Sequence, residues 1–286
     1  MKQLLVLDFD GTLTNAEEEG RNYKKGYIED IALLADLSIE ETNRLADKFE
    51  KEIVSDADRF GWNFNGKIVA PASVDPYLRI MPISRMILDH VGAFTNTEER
   101  NRLLDRILYK YNYQKTTTAF RDGAAEFFAS TSEVQGMETC IVTNSHTKPV
   151  QEKVRVLGER SDNDFTWLVD RVYGSARKYI LDDSFQKVEE SMHVPDLTRP
   201  IYLRRKLYYD RLADLQEKFG SNWENTIVLG DIFELDLCVP LACGAKVALM
   251  TNEFTPQYEI NFLKQHERGA VFSNLADALQ WIKDQA

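Results

Sequence analysis

Residues 4–13 read LLVLDFDGTL, an apolar run that ends in two aspartates, Asp8 and Asp10, with Gly11 and Thr12 directly behind them. The run from Leu4 to Leu7 is typical of a buried β-strand. Because side chains alternate along a strand, both carboxylates are expected on the same face. Two close carboxylates are costly to bury unless a cation or a shared proton compensates them. The stretch therefore predicts a charged site at the end of a buried strand.

Similar apolar runs recur later in the chain, each followed by a polar or glycine-containing turn: Thr139 to Val142, Thr226 to Leu229 and Lys246 to Leu249. Helical patterns stand among them: Gly123 to Ser132, Tyr208 to Phe219 and Asn274 to Lys283. Strands that alternate with helices predict a parallel sheet covered by helices on both faces. We assign residues 1–14 and 116–286 to this α/β core.

Residues 15–115 differ in character, because their apolar positions follow helical spacing and few runs resemble strands. Ser38 precedes two glutamates and Thr97 precedes another two, a pattern that favours helix N-termini. This segment is predicted to be an inserted, mainly α-helical domain. The length of 286 residues agrees with a core and a large insertion.

The composition limits the classes of partner. A net charge of -11 disfavours nucleic acid and anionic membranes, which are held mainly by Lys and Arg, but it allows a small phosphorylated ligand. The N-terminal apolar segment is too short for a signal-peptide core. Cys140, Cys238 and Cys243 form no metal-ligand pattern and are expected to be buried thiols. We therefore expect a cytoplasmic protein without structural disulfides; the sequence carries no signal for an oligomeric state.

Two further polar segments follow predicted strands. Thr143, Asn144 and Ser145 could form an anion cradle at the start of a helix, or an ordinary helix cap. Asp231 and Asp236 bring a second pair of acids to the same sheet edge, although Asp231 could instead cap a helix and Asp236 be solvated. Oxygen ligands without a His or Cys cluster fit Mg2+ better than zinc.

Taken together, these segments resemble the haloacid dehalogenase superfamily, in its phosphatase branch. Asp8-Phe-Asp10-Gly-Thr12-Leu matches the first motif of that family, Thr143 the second, and Gly230-Asp231 with Asp236 the fourth. The insertion after the first motif corresponds to the helical cap of the family. The resemblance implies a Rossmann-like α/β core with an inserted helical cap domain.

The resemblance also implies a chemistry. Asp8 would attack phosphorus and form an aspartyl-phosphate, and Asp10 would act as acid and base. Mg2+ would be held by Asp8, the backbone carbonyl of Asp10, Asp231 and Asp236. An acid at position 10 separates the phosphatases from the dehalogenase branch, which lacks it.

The third motif of the family supplies a Lys or Arg that neutralises charge on the phosphoryl group, and several residues of this sequence could fill that role. Lys206 is our choice, because it stands before a predicted helix at a suitable distance from the fourth motif; Lys178, Arg204 and Arg205 are the alternatives. The stretch from Arg177 to Leu203 is longer than in many members of the family.

The phosphoryl group would be held by a set of small polar residues in addition to that cation. Thr143 and the Asn144 N–H would bind its oxygens beside Lys206. The residues expected to line the substrate are Gly11, Thr12, Asn144 and Ser145.

The expected function is a magnesium-dependent phosphatase that acts on a small phosphorylated metabolite. A phosphomutase or another phosphotransferase that uses Asp8 is the second hypothesis. A binding protein that keeps the fold without catalysis is the third.

Overall fold

The computed structural model describes residues 2–112 and 118–285. The chain divides into two compact units. The α/β unit comprises residues 2–15, 63–70 and 120–285, and the helical unit comprises 16–62 and 71–112, with 118–119. The predicted boundary between residues 115 and 116 lies outside the described residues. Residues 63–70, which we placed in the insertion, group with the α/β unit.

The elements are as follows. The strands are β1 (Gln3–Leu7), β2 (Gly61–Phe64), β3 (Lys67–Pro71), β4 (Met137–Val142), β5 (Val172–Tyr173), β6 (Ser191–Met192), β7 (Ile201–Tyr202), β8 (Thr226–Gly230), β9 (Lys246–Met250) and β10 (Gly269–Phe272). The helices are α1 (Ala16–Ala35), α2 (Ile39–Ser55), α3 (Pro76–Val91), α4 (Thr97–Asn112), α5 (Ala124–Ser132), α6 (Thr147–Ser161), α7 (Thr166–Val169), α8 (Lys206–Phe219), α9 (Cys238–Ala242), α10 (Gln257–Gln265) and α11 (Leu275–Asp284).

The α/β unit is built on a six-stranded sheet in the order β10-β9-β8-β1-β4-β5, in which all neighbours are parallel. Leu5 of β1 lies between Thr139 of β4 and Ile227 of β8. The chain runs outward from β1 through β4 to β5 and then returns to β8 on the other side of β1. Such a reversal opens a crevice at the carboxyl ends of the two strands, where ligands bind in open α/β sheets.

Burial of β1 on both faces explains its unbroken apolar sequence. Leu5 and Leu7 belong to a core that includes Phe127 and Phe128 of α5. Leu4 and Val6 point to the opposite face and are also buried. The predicted parallel α/β architecture is confirmed, and the short strands β5 and β10 are additions to it.

The helical unit has a core of its own, formed mainly by one apolar face from each of α1, α2 and α3 together with α4. Tyr27 is fully buried and its hydroxyl donates to the Leu104 carbonyl at 2.9 Å. Ser38 caps α2, since its hydroxyl accepts from the Glu41 N–H at 3.1 Å. At α4 the capping side chain is Asn96 rather than Thr97, because the Asn96 Oδ1 accepts from the N–H groups of the two following glutamates.

A long segment, residues 179–205, separates β5 and its following loop from α8. It contains the antiparallel pair β6 and β7 and ends at a fully buried arginine, Arg205. The Arg205 guanidinium donates to three backbone carbonyls, those of Lys178 at 2.7 Å, Val69 at 2.9 Å and Tyr202 at 2.9 Å. Arg205 therefore joins both ends of the segment and residues 63–70.

Substituting Arg205 with methionine is expected to lower the free energy of unfolding by about 3 kcal/mol or more, since each buried carbonyl left unpaired costs roughly 1–3 kcal/mol. Urea unfolding followed by circular dichroism measures this. Arg204→Met is the matched control, because Arg204 is partly exposed and water can replace its contacts. Equal stability of the two variants would contradict this account of Arg205.

No helix within residues 2–112 and 118–285 is long and apolar enough to cross a membrane. The thiols of Cys140 and Cys238 are buried and that of Cys243 is partly buried. Burial raises the pKa of the Cys140 thiol to about 12, so it is protonated at neutral pH.

Candidate active site

Three buried acids meet where β1 and β8 end. Asp8, Asp231 and Asp236 each offer a carboxylate oxygen, and these oxygens all lie within 4.8 Å of one another. The strand ends are joined by the Asp8 N–H, which donates to the Leu229 carbonyl at 2.8 Å. The edge at which the sheet order reverses thus carries a concentrated negative charge.

Two glycines allow the acids to approach the backbone. Gly11 has a φ of +81°, and a Cβ on it would lie 2.0 Å from the Asp231 Oδ2. A Cβ on Gly230 would lie 2.4 Å from the Cβ of Asp236. Neither position has space for a larger side chain, and Gly11 also has the left-handed backbone that glycine adopts freely.

Thr12 is fully buried beneath the acids. Its hydroxyl lies 3.1 Å from the Asp8 Oδ2 and 3.1 Å from the Asp231 Oδ1. The Gly11 carbonyl is fixed by Arg121, whose Nε donates to it at 2.8 Å. Gly11 and Thr12, which we expected to line the substrate, therefore shape the acid cluster itself.

Lys178 provides the positive charge of the cluster. Its side chain is 1% exposed, and its Nζ lies 2.7 Å from the Asp8 Oδ1 and 2.8 Å from the Asp236 Oδ1. The Tyr208 ring centroid lies 5.4 Å from this ammonium, and the Tyr208 hydroxyl donates to the Asp236 carbonyl at 2.8 Å. Lys178 is thus held from two sides by acids and from a third by an aromatic face.

The loop that carries Lys178 has an unusual backbone. Ser175 and Arg177 both have a positive φ, of +53° and +51°, and such non-glycine residues are uncommon outside functional or constrained sites. The Ser175 N–H donates to the Ser145 carbonyl at 2.8 Å. The Asn144 Oδ1 accepts from the Lys178 N–H at 2.8 Å. Asn144, expected at the substrate, thus has a side chain that fixes the lysine.

Lys206, our choice for the cation of the site, pairs with a surface acid and not with the acid cluster. It is the first residue of α8, its side chain is 47% exposed, and it pairs with Asp210 one turn along that helix. Arg205 is committed to backbone carbonyls, and Arg204 contacts Gln186 and the Asp183 carbonyl. The long 179–205 segment explains this difference, because it separates Lys178 from α8, the helix that we expected to begin with the site cation.

Asp10 lies apart from the cluster of three acids. The Ser145 hydroxyl donates to its Oδ2 at 2.6 Å, the Thr143 hydroxyl lies 3.4 Å from the same oxygen, and Lys153 of α6 pairs with its Oδ1 at 3.4 Å. Its side chain is 35% exposed. The described cluster does not include its carboxylate as a ligand; the backbone carbonyl of Asp10 as a metal ligand stays a prediction.

The electrostatics of the site follow from burial and close charges. Burial raises the pKa of the Asp8 carboxyl to about 7; Lys178 opposes this shift, whereas the charges of Asp236 and Asp10 add to it. Burial alone would lower the pKa of Lys178, but the carboxylates of Asp236 and Asp8 raise it above its ordinary value. Lys178 is therefore an ammonium at neutral pH.

The donor set fits a hard divalent cation such as Mg2+. The three grouped ligand atoms are carboxylate oxygens, and the described residues place no His or Cys among them. A side chain at position 11 would collide with Asp231, so the glycine at this position gives the acids room to converge. The Lys178 ammonium pairs with two of these three acids, Asp8 and Asp236.

Sequence reasoning missed Lys153, Arg121 and Tyr208. No local motif marks them, since each reaches the site from a helix or loop distant in sequence. Lys178 was recognised only as an alternative; its signal is that it follows β5, another strand ending at the same sheet edge.

No protein-family model matches the chain, and no curated protein is significantly similar to it. Solved structures are similar in fold. A predicted phosphoglycolate phosphatase from Haemophilus somnus 129pt aligns with a TM-score of 0.54 and 14% identity, covering 98% of each chain. The magnesium-bound YfnB of Bacillus subtilis gives 0.50 and 13%, covering 98% of each chain. A conserved haloacid dehalogenase-like protein of unknown function from Agrobacterium tumefaciens gives 0.50 and 16%, covering 99% of each.

Proposed function

We propose that the chain, which has the haloacid dehalogenase-like fold, is a magnesium-dependent phosphatase that hydrolyses a small phosphorylated metabolite through Asp8. The observation that carries this proposal is the convergence of three buried carboxylates on one buried ammonium at the end of β1. A nucleophile, a cation and a metal-ligand set then lie at one edge of the sheet.

Asp8 is the nucleophile in this proposal. One of its carboxylate oxygens attacks phosphorus, the bond from phosphorus to the ester oxygen breaks, and Asp10 gives its proton to the leaving alkoxide. Asp10 then accepts a proton from water, which attacks phosphorus and breaks the bond to Asp8. The exposure of Asp10 and its contacts with Ser145 and Thr143 support this role, since they orient the carboxyl while leaving it accessible.

Lys178 neutralises charge on the transferred phosphoryl group in this proposal, in place of Lys206. Asp8, Asp231 and Asp236 would hold Mg2+, which when bound offsets the repulsion between an anionic nucleophile and an anionic ester. The helical unit is proposed to be the cap that selects the alcohol part of the substrate, by analogy of fold alone.

A panel of phosphorylated metabolites assayed with Mg2+ tests the function. Release of inorganic phosphate that depends on Mg2+ supports a phosphatase. Isomerisation of a sugar phosphate without net release would indicate a phosphomutase instead, and halide release from a 2-haloacid would indicate a dehalogenase. Absence of all three reactions would favour a binding protein.

Magnesium binding is expected to depend on pH because of Asp8. With its pKa near 7, Asp8 is protonated below that pH and Mg2+ must displace the proton, so binding weakens by up to about tenfold per pH unit. Above the pKa the carboxylate is already ionised and binding changes little. Calorimetric titration of the protein with Mg2+ at pH values from about 6 to about 8 measures this. A constant affinity across that range would contradict the protonation of Asp8.

A further inference from the structure

A second buried charge cluster lies on the loop that carries Asp231 and Asp236. Between these acids, Glu234 belongs to a π-helical turn, Phe233–Leu237, and is fully buried. Both of its carboxylate oxygens are bound by Arg199, with the Nη1 2.8 Å from the Oε2 and the Nη2 2.6 Å from the Oε1. Such a two-bond pair fixes direction as well as charge.

The same turn is held from behind by α10. The Tyr258 hydroxyl donates to the Glu234 Oε1 at 2.7 Å, and the Glu259 Oε2 accepts from the Phe233 N–H at 3.4 Å. Both Glu234 and Glu259 are fully buried. The backbone between the two metal-ligand candidates is therefore held by side chains that do not belong to the acid cluster.

Arg199 comes from the 179–205 segment, which begins directly after Lys178. One arginine of this segment, Arg205, binds the Lys178 carbonyl, and another, Arg199, binds the loop of Asp231 and Asp236. The segment thus contacts two of the chain stretches that supply charges to the site, the Lys178 loop and the Asp231 to Asp236 loop. Partners of metal-binding loops commonly tune metal affinity by about 10–100-fold.

We propose that Arg199 is a positioning residue that sets the affinity of the site for Mg2+ by holding the Asp231 to Asp236 loop through Glu234. The inference rests on the proposed function, since it takes these acids as the metal site. The charge of Arg199 and its role in positioning the loop predict opposite effects of its removal on the affinity for Mg2+. An uncompensated Glu234 would attract Mg2+ more strongly, whereas a displaced loop binds it more weakly.

The test is calorimetric titration of the protein with Mg2+ alone. Arg199→Met/Glu234→Gln removes the pair without leaving a buried charge, and the glutamine can still accept from Tyr258. We expect Mg2+ binding about 10–100-fold weaker at a melting temperature close to that of the wild type. Arg199→Lys, which keeps the charge but not the two-bond geometry, should bind with intermediate affinity.

Arg171→Met/Glu138→Gln is the matched control, since this pair (2.7 Å) joins the start of β4 to the residue before β5, away from the strand ends that carry the acids. It should leave Mg2+ affinity unchanged. Unchanged affinity in both Arg199 variants would overturn the inference, as would tighter binding in Arg199→Met alone. If the double variant does not fold, Arg199→Lys decides by the same readout.

The two proposals can fail separately because no ester enters this titration. A wild-type protein that binds Mg2+ but hydrolyses no phosphate ester overturns the phosphatase, while the comparison of affinities still decides the role of Arg199. A wild-type protein that binds no Mg2+ overturns both proposals.

Discussion

Asp8→Asn is expected to lower kcat for phosphate release by at least about 10³-fold, since loss of a nucleophile removes the whole covalent route. Asparagine has nearly the same shape as aspartate, so packing at the end of β1 is preserved. Lys178 keeps its ion pair with Asp236 in this variant, and a loss of folding is therefore not expected. Lost turnover then reports on the chemistry of Asp8.

Phosphate release measured with Mg2+ and the best ester of the panel gives this result, with circular dichroism as the check of folding. Asp162→Asn is the matched control, because Asp162 is exposed at the end of α6 in a left-handed conformation that asparagine also adopts. The control should keep full activity. Turnover of Asp8→Asn within tenfold of the wild type would exclude Asp8 as the nucleophile.

Lys178→Met is expected to lower kcat/KM by about 10²-fold or more, whereas Lys206→Met should remain near the wild type. Lys178 is buried between two carboxylates, and Lys206 is exposed on α8 beside Asp210. The two lysines thus form a matched pair that separates a buried charge of the site from a surface charge. A large loss only in Lys206→Met would restore the interpretation made from the sequence.

Lys178→Met should also change how the protein responds to metal. Without the ammonium, the carboxylates of Asp8 and Asp236 lose the cation that pairs with them, and the variant should unfold at a lower temperature in the absence of Mg2+. Added Mg2+ should then raise its melting temperature by more than that of the wild type. Differential scanning fluorimetry with and without Mg2+ measures both shifts.

The acid cluster could be predicted because its residues lie directly after apolar strands. Asp8 follows β1 and Asp231 follows β8, and the shared direction of parallel strands brings their carboxyl ends to one edge. The lysine could not be placed in the same way. Lys178 sits in a loop with a left-handed backbone, and no periodic pattern specifies where such a loop points. The long 179–205 segment also separates Lys178 from α8, the helix from which we predicted the position of the cation.

The directions in which several side chains point also could not be predicted from the sequence. Thr12 and Asn144 follow strands, as expected for substrate-binding residues, yet the Thr12 hydroxyl points at the acids and the Asn144 amide binds the Lys178 backbone. No prediction was made for Glu234, which is fully buried with Arg199. Apart from the contact of Thr12 with Asp8, each of these contacts depends on a partner far away in the sequence, which local patterns do not encode.

Transfer of the phosphoryl group to Asp8 can be observed in a trapping experiment with Asp10→Asn. p-Nitrophenol needs no proton to leave, so this variant should be phosphorylated by p-nitrophenyl phosphate but should hydrolyse the intermediate slowly for want of a base. We predict a burst of about one p-nitrophenolate per protein molecule, with the phosphoryl group on the peptide that contains Asp8 after acid quenching and mass spectrometry. A phosphoryl group on another residue would exclude Asp8 as its acceptor. The same conclusion would follow if the wild type hydrolyses p-nitrophenyl phosphate while Asp10→Asn shows neither a burst nor a label.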